Sequence, residues 1–407
     1  MSDVRRTPRP LAAGSVAEVF VAFLKLGLTS FGGPVAHLGY FRDEFVGRRG
    51  WLDERSYGEY VALGQFLPGP ASSQVGMALG AHRAGFAGSL AAWVGFTLPS
   101  ALIMTALGLG VAAFGGLDQH AVLHGLKLVA VAVVVQALWQ MATKLCPDRQ
   151  RAALAAVGAI MVLLLPKTVG QLGAMLLGAM VGMLLMRGLV DEAQGEAGAR
   201  YVGSRRIGSL ALVGFFVLLA ALPLAAALTE APVLDLVDSF YRTGALVFGG
   251  GHVVLPLLEA EVVSHGWVDR SGFLAGYGAA QALPGPLFTF AAYLGALPTM
   301  PLGGLGGALL CTLAIFLPSF LLIFGILPFW AQLRRQKLVV AAVTGTNAAV
   351  VGVLLAALYD PLWVAAVAAP EDFALVIAAL ALLALGRVPP WLVVLLGALT
   401  SGLLGLT

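Results

Sequence analysis

Apolar runs long enough to cross a lipid bilayer recur along the whole chain, and this feature constrains the fold most. Of 407 residues, 59% are hydrophobic and only 11% are charged, whereas soluble domains average roughly 25% charged residues. Many of the runs approach the ~20 residues that a membrane-spanning helix needs. We therefore predict an all-α polytopic membrane protein without a sizeable soluble domain. The two cysteines, Cys146 and Cys311, lie in apolar contexts, and we predict no disulfide, metal or cofactor.

Two copies of one series of motifs divide the chain into similar halves. Phe31-Gly-Gly-Pro34 is repeated as Phe248-Gly-Gly-Gly251, and Leu67-Pro-Gly-Pro70 as Leu283-Pro-Gly-Pro286. At nearly the same offset, further positions correspond: Lys25 and Arg242, Glu44 and Glu261, Trp51 and Trp267, Asp53 and Asp269, Gln65 and Gln281. Such internal similarity indicates repeated structural units. We predict an N-terminal repeat over residues 1–190, a cytoplasmic polar loop over 191–206, a linking transmembrane helix over 207–228 and a C-terminal repeat over 229–407.

The distribution of lysine and arginine indicates that the two repeats have opposite orientations. Short cytoplasmic loops are enriched in these residues. In the first repeat they cluster at positions 5–9, 42–55, 144–151 and 187–206. In the second repeat they cluster at 334–337, where the corresponding part of the first repeat has none. We therefore predict inverted-topology repeats in a bacterial-type inner membrane, with a cytoplasmic N-terminus and a periplasmic C-terminus.

The glycine and proline motifs predict interrupted helices inside the membrane. The apolar stretch 34–46 has 13 residues, which is about 20 Å of helix and too short to cross a core of about 30 Å. Proline favours the first position of a helix, so Pro34 and Pro70 indicate helix starts at membrane depth. Each repeat is predicted to contain two re-entrant helical hairpins and about four transmembrane helices, with the linking helix between the repeats. Interrupted helices in paired halves are typical of secondary transporters.

Four helix starts that meet at the midplane would form a site for an anion. Each start has free amide donors and a charge of about +0.5, so four sum to about +2 and suit a dianion. The predicted substrate-binding residues lie in or near the four breaks: Lys25, Ser30, Gly32, Gly33, Gln65, Gly69, Ser72, Ser73, Arg242, Gly249, Gly250, His252, Gln281, Gly285 and Thr289. Candidates for proton coupling are Glu44, His252 and Glu261.

Each of these residue types also has a structural explanation. Lysine and arginine near a helix end commonly extend to the interface. Serine and threonine commonly pack helices together in membranes. A lone histidine is often a structural hydrogen-bond partner, and acidic residues beside polar loops are often simply solvated. Both explanations remain open for each residue.

The motifs Phe31-Gly-Gly-Pro34, Gly50-Trp-Leu-Asp53 and Gln65-Phe-Leu-Pro-Gly-Pro70, with their second copies, resemble the chromate ion transporter family in its long, two-repeat form. The resemblance covers nearly the whole chain. It implies efflux of chromate, a tetrahedral dianion shaped like sulfate, driven by the membrane potential or a proton gradient. It also implies resistance to chromate. One departure is Gly251, which stands where the first repeat has Pro34.

Other functions remain as alternatives. A transporter of sulfate or a related oxyanion would use the same helix dipoles, and a passive anion channel is a further alternative. The chain contains no His-Glu-x-x-His and no Gly-x-Ser-x-Gly motif, so an enzyme is not predicted. The expected partners are chromate or a sulfate-like oxyanion and membrane lipid, without nucleic acid, and a homodimer is left open.

Overall fold

The computed structural model describes residues 14–114, 121–189, 204–386 and 388–404. These ranges are almost entirely helical and contain no strand. Most of the predicted cytoplasmic loop, at 191–203, and the arginines at positions 5, 6 and 9 lie outside the described residues.

The first repeat contains seven helices: α1 (Val16–Thr29), α2 (Gly33–Arg42), α3 (Glu54–Phe66), α4 (Ala71–Phe114), α5 (Ala121–Leu145), α6 (Arg149–Leu164) and α7 (Lys167–Leu185). Helix α8 (Arg205–Thr229) covers the segment predicted to link the repeats. The remaining helices are α9 (Pro232–Leu246), α10 (Val254–Val262), α11 (Arg270–Gln281), α12 (Phe290–Ala296), α13 (Gly304–Ile326), α14 (Trp330–Leu333), α15 (Lys337–Ala357), α16 (Val364–Ala366), α17 (Pro370–Ala384) and α18 (Pro390–Leu404).

Six of the described helical segments are long and apolar enough to cross a membrane. They include α5, α7 and α8, together with segments that begin in α4, α13 and α15. The sequence predicts nine crossings, and the other three fall on α6, α17 and α18, which have 16, 15 and 15 residues. Each of these helices is at most about 24 Å long. They are therefore shorter than a full crossing of the hydrocarbon core.

The helices are interrupted at the predicted glycine and proline motifs. Helix α2 begins at Gly33 with Pro34 in its first turn, and α4 begins at Ala71, directly after Pro70. In the second repeat, short 3₁₀ turns at Gly251–Val253 and Leu287–Thr289 precede α10 and α12. Helix α4 is itself kinked at Ala84 and Gly85, whose backbone angles are not helical.

The Gly50-Trp-Leu-Asp53 motif has a structural role. The Asp53 side chain accepts a hydrogen bond of 2.7 Å from the Ser56 amide and so caps α3. Asp269 caps α11 in the same way, with a bond of 2.9 Å from the Gly272 amide. Because helix starts have unpaired amides, such caps fix where a helix begins. This part of the motif therefore sets the start of the third helix in each repeat.

Small residues allow helices of the two repeats to pack closely. Helix α5 packs against α17 and α18 of the second repeat, and α15 packs against α6 and α7 of the first. Gly125 contacts Gly397, and Gly345 contacts Gly178, at positions where an added Cβ would meet the facing backbone. Close contact of small residues is the usual way in which helices associate in membranes. Each repeat therefore contributes one long helix, α5 or α15, to the packing of the other.

Candidate substrate-binding site

The four helix breaks are joined across the repeats by two equivalent backbone hydrogen bonds. The Gly69 amide donates to the Val247 carbonyl at 2.6 Å, and the Gly285 amide donates to the Ser30 carbonyl at 3.0 Å. Ser30 and Val247 occupy equivalent positions before the glycine motifs, as Gly69 and Gly285 do within the Pro-Gly-Pro motifs. The first break of each repeat therefore contacts the second break of the other.

Glycine is required at these junctions by both backbone geometry and space. Gly69 and Gly285 have φ angles of 120° and 96°, which L-residues with a side chain rarely adopt. A Cβ at Gly69 would lie 2.7 Å from Ser319 Oγ, and one at Gly285 would lie 2.8 Å from Ser100 Oγ. Ser100 and Ser319 are themselves in corresponding Leu-Pro-Ser motifs, so both junctions are built alike.

A central cavity of about 260 Å³ lies beside the junctions. It is lined by Gly32 and Pro34 at the start of α2, by Gly69 and Ala71 at the start of α4, and by residues 249–252 before α10. Three of the four predicted helix starts therefore face one space. Helix starts have amide donors without helical partners and a positive partial charge, so this space is suited to an anion.

The fourth break contributes differently. Gln281 lines a smaller adjoining cavity of about 60 Å³, together with Gly32, Gly33, Gln140 and His252. Gly285 and Thr289 do not line either space. The Thr289 hydroxyl is buried and donates to the Pro286 carbonyl at 2.8 Å. The Thr289 hydroxyl is therefore used within its own 3₁₀ turn, at Leu287–Thr289. This helix start does not line the central cavity.

A third space adjoins the central cavity. This lateral cavity, of about 440 Å³, lies between α3 and the first half of α15. It shares Gln65 and Asn347 with the central cavity. At its rim Arg334 pairs with Glu59, and Trp330 Nε1 donates to the same carboxylate at 3.1 Å. The contact joins Arg334 to Glu59, which lies one helical turn after Arg55, and the charge distribution assigns the loops that contain Arg55 and Arg334 to the cytoplasm.

The corresponding position on the opposite side is closed within the described residues. There α11 and α5 take the places of α3 and α15, and Gly278 packs directly against the Leu126 backbone. Lys127 Nζ donates to Ser271 Oγ at 3.0 Å. Lys127 lies two residues after Gly125, which contacts α18, and Asn347 lies two residues after Gly345, which contacts α7. The two positions are therefore equivalent. Helices α3 and α15 are therefore separated by a cavity, whereas the equivalent helices α11 and α5 are in contact.

Two predicted cationic ligands lie away from the cavities. Lys25 is on the exposed side of α1, outside the residues that line the central cavity. Arg242 pairs with Asp238 at 2.7 Å and with Glu261 at 3.0 Å. Because its guanidinium is already held by two carboxylates, Arg242 is positioned as part of a structural ion-pair network.

One predicted hydroxyl ligand, Ser72 near the start of α4, contacts a buried histidine. His37 Nδ1 lies 3.3 Å from Ser72 Oγ, and His37 Nε2 lies 3.2 Å from the Ser30 carbonyl oxygen. A carbonyl only accepts, so Nε2 carries the proton and Nδ1 accepts from Ser72. Ser73 is buried as well. His37 was not among the predicted site residues, and it ties the end of α1 to the starts of α2 and α4.

The three candidates for proton coupling have different surroundings. Glu44 is buried, which raises its pKa, but hydrogen bonds from Arg48 and Arg49 outweigh burial and hold the pKa below its ordinary value. It therefore stays ionised at neutral pH. Glu261 accepts from Ser239 at 3.2 Å in addition to its pairing with Arg242. Only His252 lines the central cavity, and its Nδ1 lies 3.0 Å from the Tyr277 hydroxyl.

Residues on α5 and α15 complete the cavity lining and were not predicted. Gln140, Met141 and Lys144 line it from α5, and Asn347 lines it from α15. A usable signal exists in the sequence, since Gln136, Gln140 and Lys144 recur at intervals of four in an apolar helix and so share one face. Among the described residues, no group of three histidine, cysteine or acidic side chains is placed to hold a metal ion.

Comparison of the sequence with known proteins gives matches in both repeats. A family model described as Chromate transporter matches residues 17–183 and, separately, residues 234–403. A "Chromate transport protein" of Pseudomonas aeruginosa is 29% identical over 85% of this chain and 81% of its own length. A "Probable chromate transport protein" of Synechococcus elongatus is 28% identical over 85% and 84%, and a "Chromate transport protein" of Cupriavidus metallidurans is 27% identical over 86% and 85%.

No solved structure matches the chain. The family model, however, covers well over half of the sequence in two separate stretches. The chain therefore belongs to the chromate transporter family.

Proposed function

We propose that the protein exports chromate, or a closely similar tetrahedral dianion, from the cytoplasm across the inner membrane and thereby confers chromate resistance. The observation that carries the proposal is the convergence of three helix starts on one central cavity. Their partial charges sum to about +1.5, which favours a dianion over a neutral solute or a cation. Membership of the family and the names of its relatives agree with this substrate.

The direction of transport follows from the charge of the substrate. A bacterial cytoplasm is electrically negative, and moving one charge through 100 mV is worth about 2.3 kcal/mol, so expelling a dianion gains about 4.6 kcal/mol. Export therefore needs no coupled ion, although a proton gradient is a second possible source of energy. His252, which lines the central cavity, is the side chain through which such coupling would act.

The difference between the two equivalent helix pairs supports a transporter over a passive channel. The lateral cavity is lined by Arg55 and Arg334, which the charge distribution assigns to the cytoplasm. On the other side, α5 and α11 are in contact. In our proposal the anion enters from the cytoplasm, α3 then approaches α15, and separation of α5 from α11 releases the anion to the periplasm. The N-terminus is proposed to be cytoplasmic and the C-terminus periplasmic.

Uptake into inside-out membrane vesicles tests this function. Vesicles that contain the protein should accumulate labelled chromate when their interior is made positive, and collapse of the potential should stop accumulation. Addition of a protonophore under a potassium-clamped potential separates proton coupling from the potential itself. Sulfate is the second candidate, because amide donors bind any tetrahedral dianion. Accumulation of sulfate without uptake of, or competition by, chromate would contradict the chromate assignment, and single-channel currents would contradict a transporter.

A further inference from the structure

Helix α5 carries a polar stripe along the path that connects the cavities. Gln136, Gln140 and Lys144 are spaced by four residues in an otherwise apolar helix. Gln136 and Gln140 line the smaller cavity, and Gln140 and Lys144 line the central cavity. Polar side chains are costly inside a membrane and commonly mark the route of a substrate. The stripe therefore follows the route proposed for the anion.

Lys144 lines the central cavity beside Gln65. Its ammonium group donates to Gln65 Oε1 at 3.3 Å, and Gln65 lines both spaces. The acceptor is a neutral amide, so this hydrogen bond leaves the positive charge of Lys144 in place. Arg334 on the lateral cavity differs, because its guanidinium is paired with the Glu59 carboxylate. Lys144 is thus a full positive charge beside the helix starts.

The charge has no counterpart on the other side of the protein. Among the described residues that line the central cavity, Lys144 is the one lysine or arginine, and no aspartate or glutamate joins it. Lys127, the lysine that α5 carries toward its other end, instead hydrogen-bonds Ser271 in the closed contact with α11. Partial charges at helix starts attract any anion, whereas a full charge adds a preference for the more highly charged one.

We propose that Lys144 is an anion-binding residue that selects the doubly charged substrate. The anion displaces Gln65 from the Lys144 ammonium group and is held between that group and the amides at the starts of α2 and α10. This inference rests on the proposed function of the cavity. It assigns charge selectivity to one side chain that the repeat motifs do not include.

Concentration-dependent uptake in inside-out vesicles tests the assignment with Lys144→Gln and Lys144→Arg. We expect Lys144→Gln to raise the KM for chromate about tenfold, equivalent to about 1.4 kcal/mol, because a charge-assisted hydrogen bond is lost. Lys144→Arg keeps the charge and should stay within about threefold of the unmodified protein. Arg149→Gln is the matched control, because it removes one positive charge from an exposed site at the start of α6, five residues after Lys144.

A competition measurement separates charge selection from a general structural defect. Sulfate and perchlorate are both tetrahedral, but perchlorate carries one charge. In Lys144→Gln the inhibition constant should rise about tenfold for sulfate and about threefold for perchlorate, because the lost Coulomb energy is proportional to the charge of the anion. The preference for the dianion should therefore fall. An unchanged KM for chromate together with an unchanged preference would overturn the role of Lys144. If the unmodified protein moves no oxyanion, the proposed function itself fails, which is a separate result.

Discussion

The amide of Gly285 lies 3.0 Å from the carbonyl oxygen of Ser30, so a helix break in the second repeat is bonded to a helix break in the first. The equivalent bond from Gly69 to Val247 completes a pair related by the internal repeat. These are backbone bonds between non-helical residues, so no side chain can be substituted to remove them. The two repeats are thereby joined directly at their helix breaks.

Substitution of Gly69 by alanine should abolish transport without preventing membrane insertion. Its φ of 120° is unfavourable for alanine, and the new Cβ would lie 2.7 Å from Ser319 Oγ. Strain of this kind costs about 1–3 kcal/mol, and the easiest relief is movement of the Gly69–Val247 junction. Chromate uptake and membrane abundance should be measured together. Gly39→Ala is the control, because Gly39 is helical and an added Cβ there would meet open space. Normal uptake by Gly69→Ala would contradict the prediction, because it would show that the Gly69–Val247 junction can move without loss of transport.

The inverted orientation predicts opposite labelling of two exposed positions. Gln336 precedes α15 and should be cytoplasmic, whereas Ser264 lies between α10 and α11 and should be periplasmic. In a background with Cys146→Ser and Cys311→Ala, we expect an impermeant maleimide to label Gln336→Cys only in inside-out vesicles. Ser264→Cys should react only in intact spheroplasts. Labelling of both cysteines from the same side would contradict inversion of the repeats.

A buried hydrogen-bonded pair between the repeats should contribute to stability. His124 Nε2 on α5 lies 2.6 Å from Asp372 Oδ1, and the Ala368 and Ala369 amides donate to the other carboxylate oxygen at 2.9 and 3.0 Å. Asp372→Ala leaves these donors unpaired, so we expect a loss of about 3 kcal/mol in stability. The neighbouring exposed Glu371 provides the control. Thermal unfolding in detergent should show a lower Tm for Asp372→Ala than for Glu371→Ala, and equal Tm values would refute the contribution.

The breaks were predictable from the sequence because they depend on local backbone chemistry. Glycine and proline at Gly32 to Pro34 and at Pro68 to Pro70 restrict the chain wherever it folds. The side of a helix on which a given residue lies was harder to predict. Lys25 precedes Leu26 and Gly27, which face α4, and the cation is consequently left on the exposed side.

Pairing with other elements was hardest to predict. Arg242 has Asp238 one turn earlier, a spacing visible in the sequence, but its second partner Glu261 comes from α10. From the sequence, Lys144 indicated only the orientation of its loop. In the structure α5 packs against helices of the second repeat, and Lys144 lines the central cavity. A short motif cannot show which distant helix completes a cavity, because that depends on packing of the whole chain.

The lateral cavity predicts different reactivity on α3 and on the equivalent helix α11. Ala62 is exposed in the lateral cavity, whereas Ala275 on α11, the counterpart of Glu59, is 1% exposed against α5. In the same cysteine-free background, we expect the anionic reagent methanethiosulfonate ethylsulfonate to modify Ala62→Cys rapidly from the cytoplasmic side. Ala275→Cys should react slowly from either side. Saturating chromate should slow the reaction at Ala62→Cys, because reagent and substrate enter by one route. Rapid reaction of Ala62→Cys from the periplasmic side would contradict both the direction of opening and the cytoplasmic route to the site.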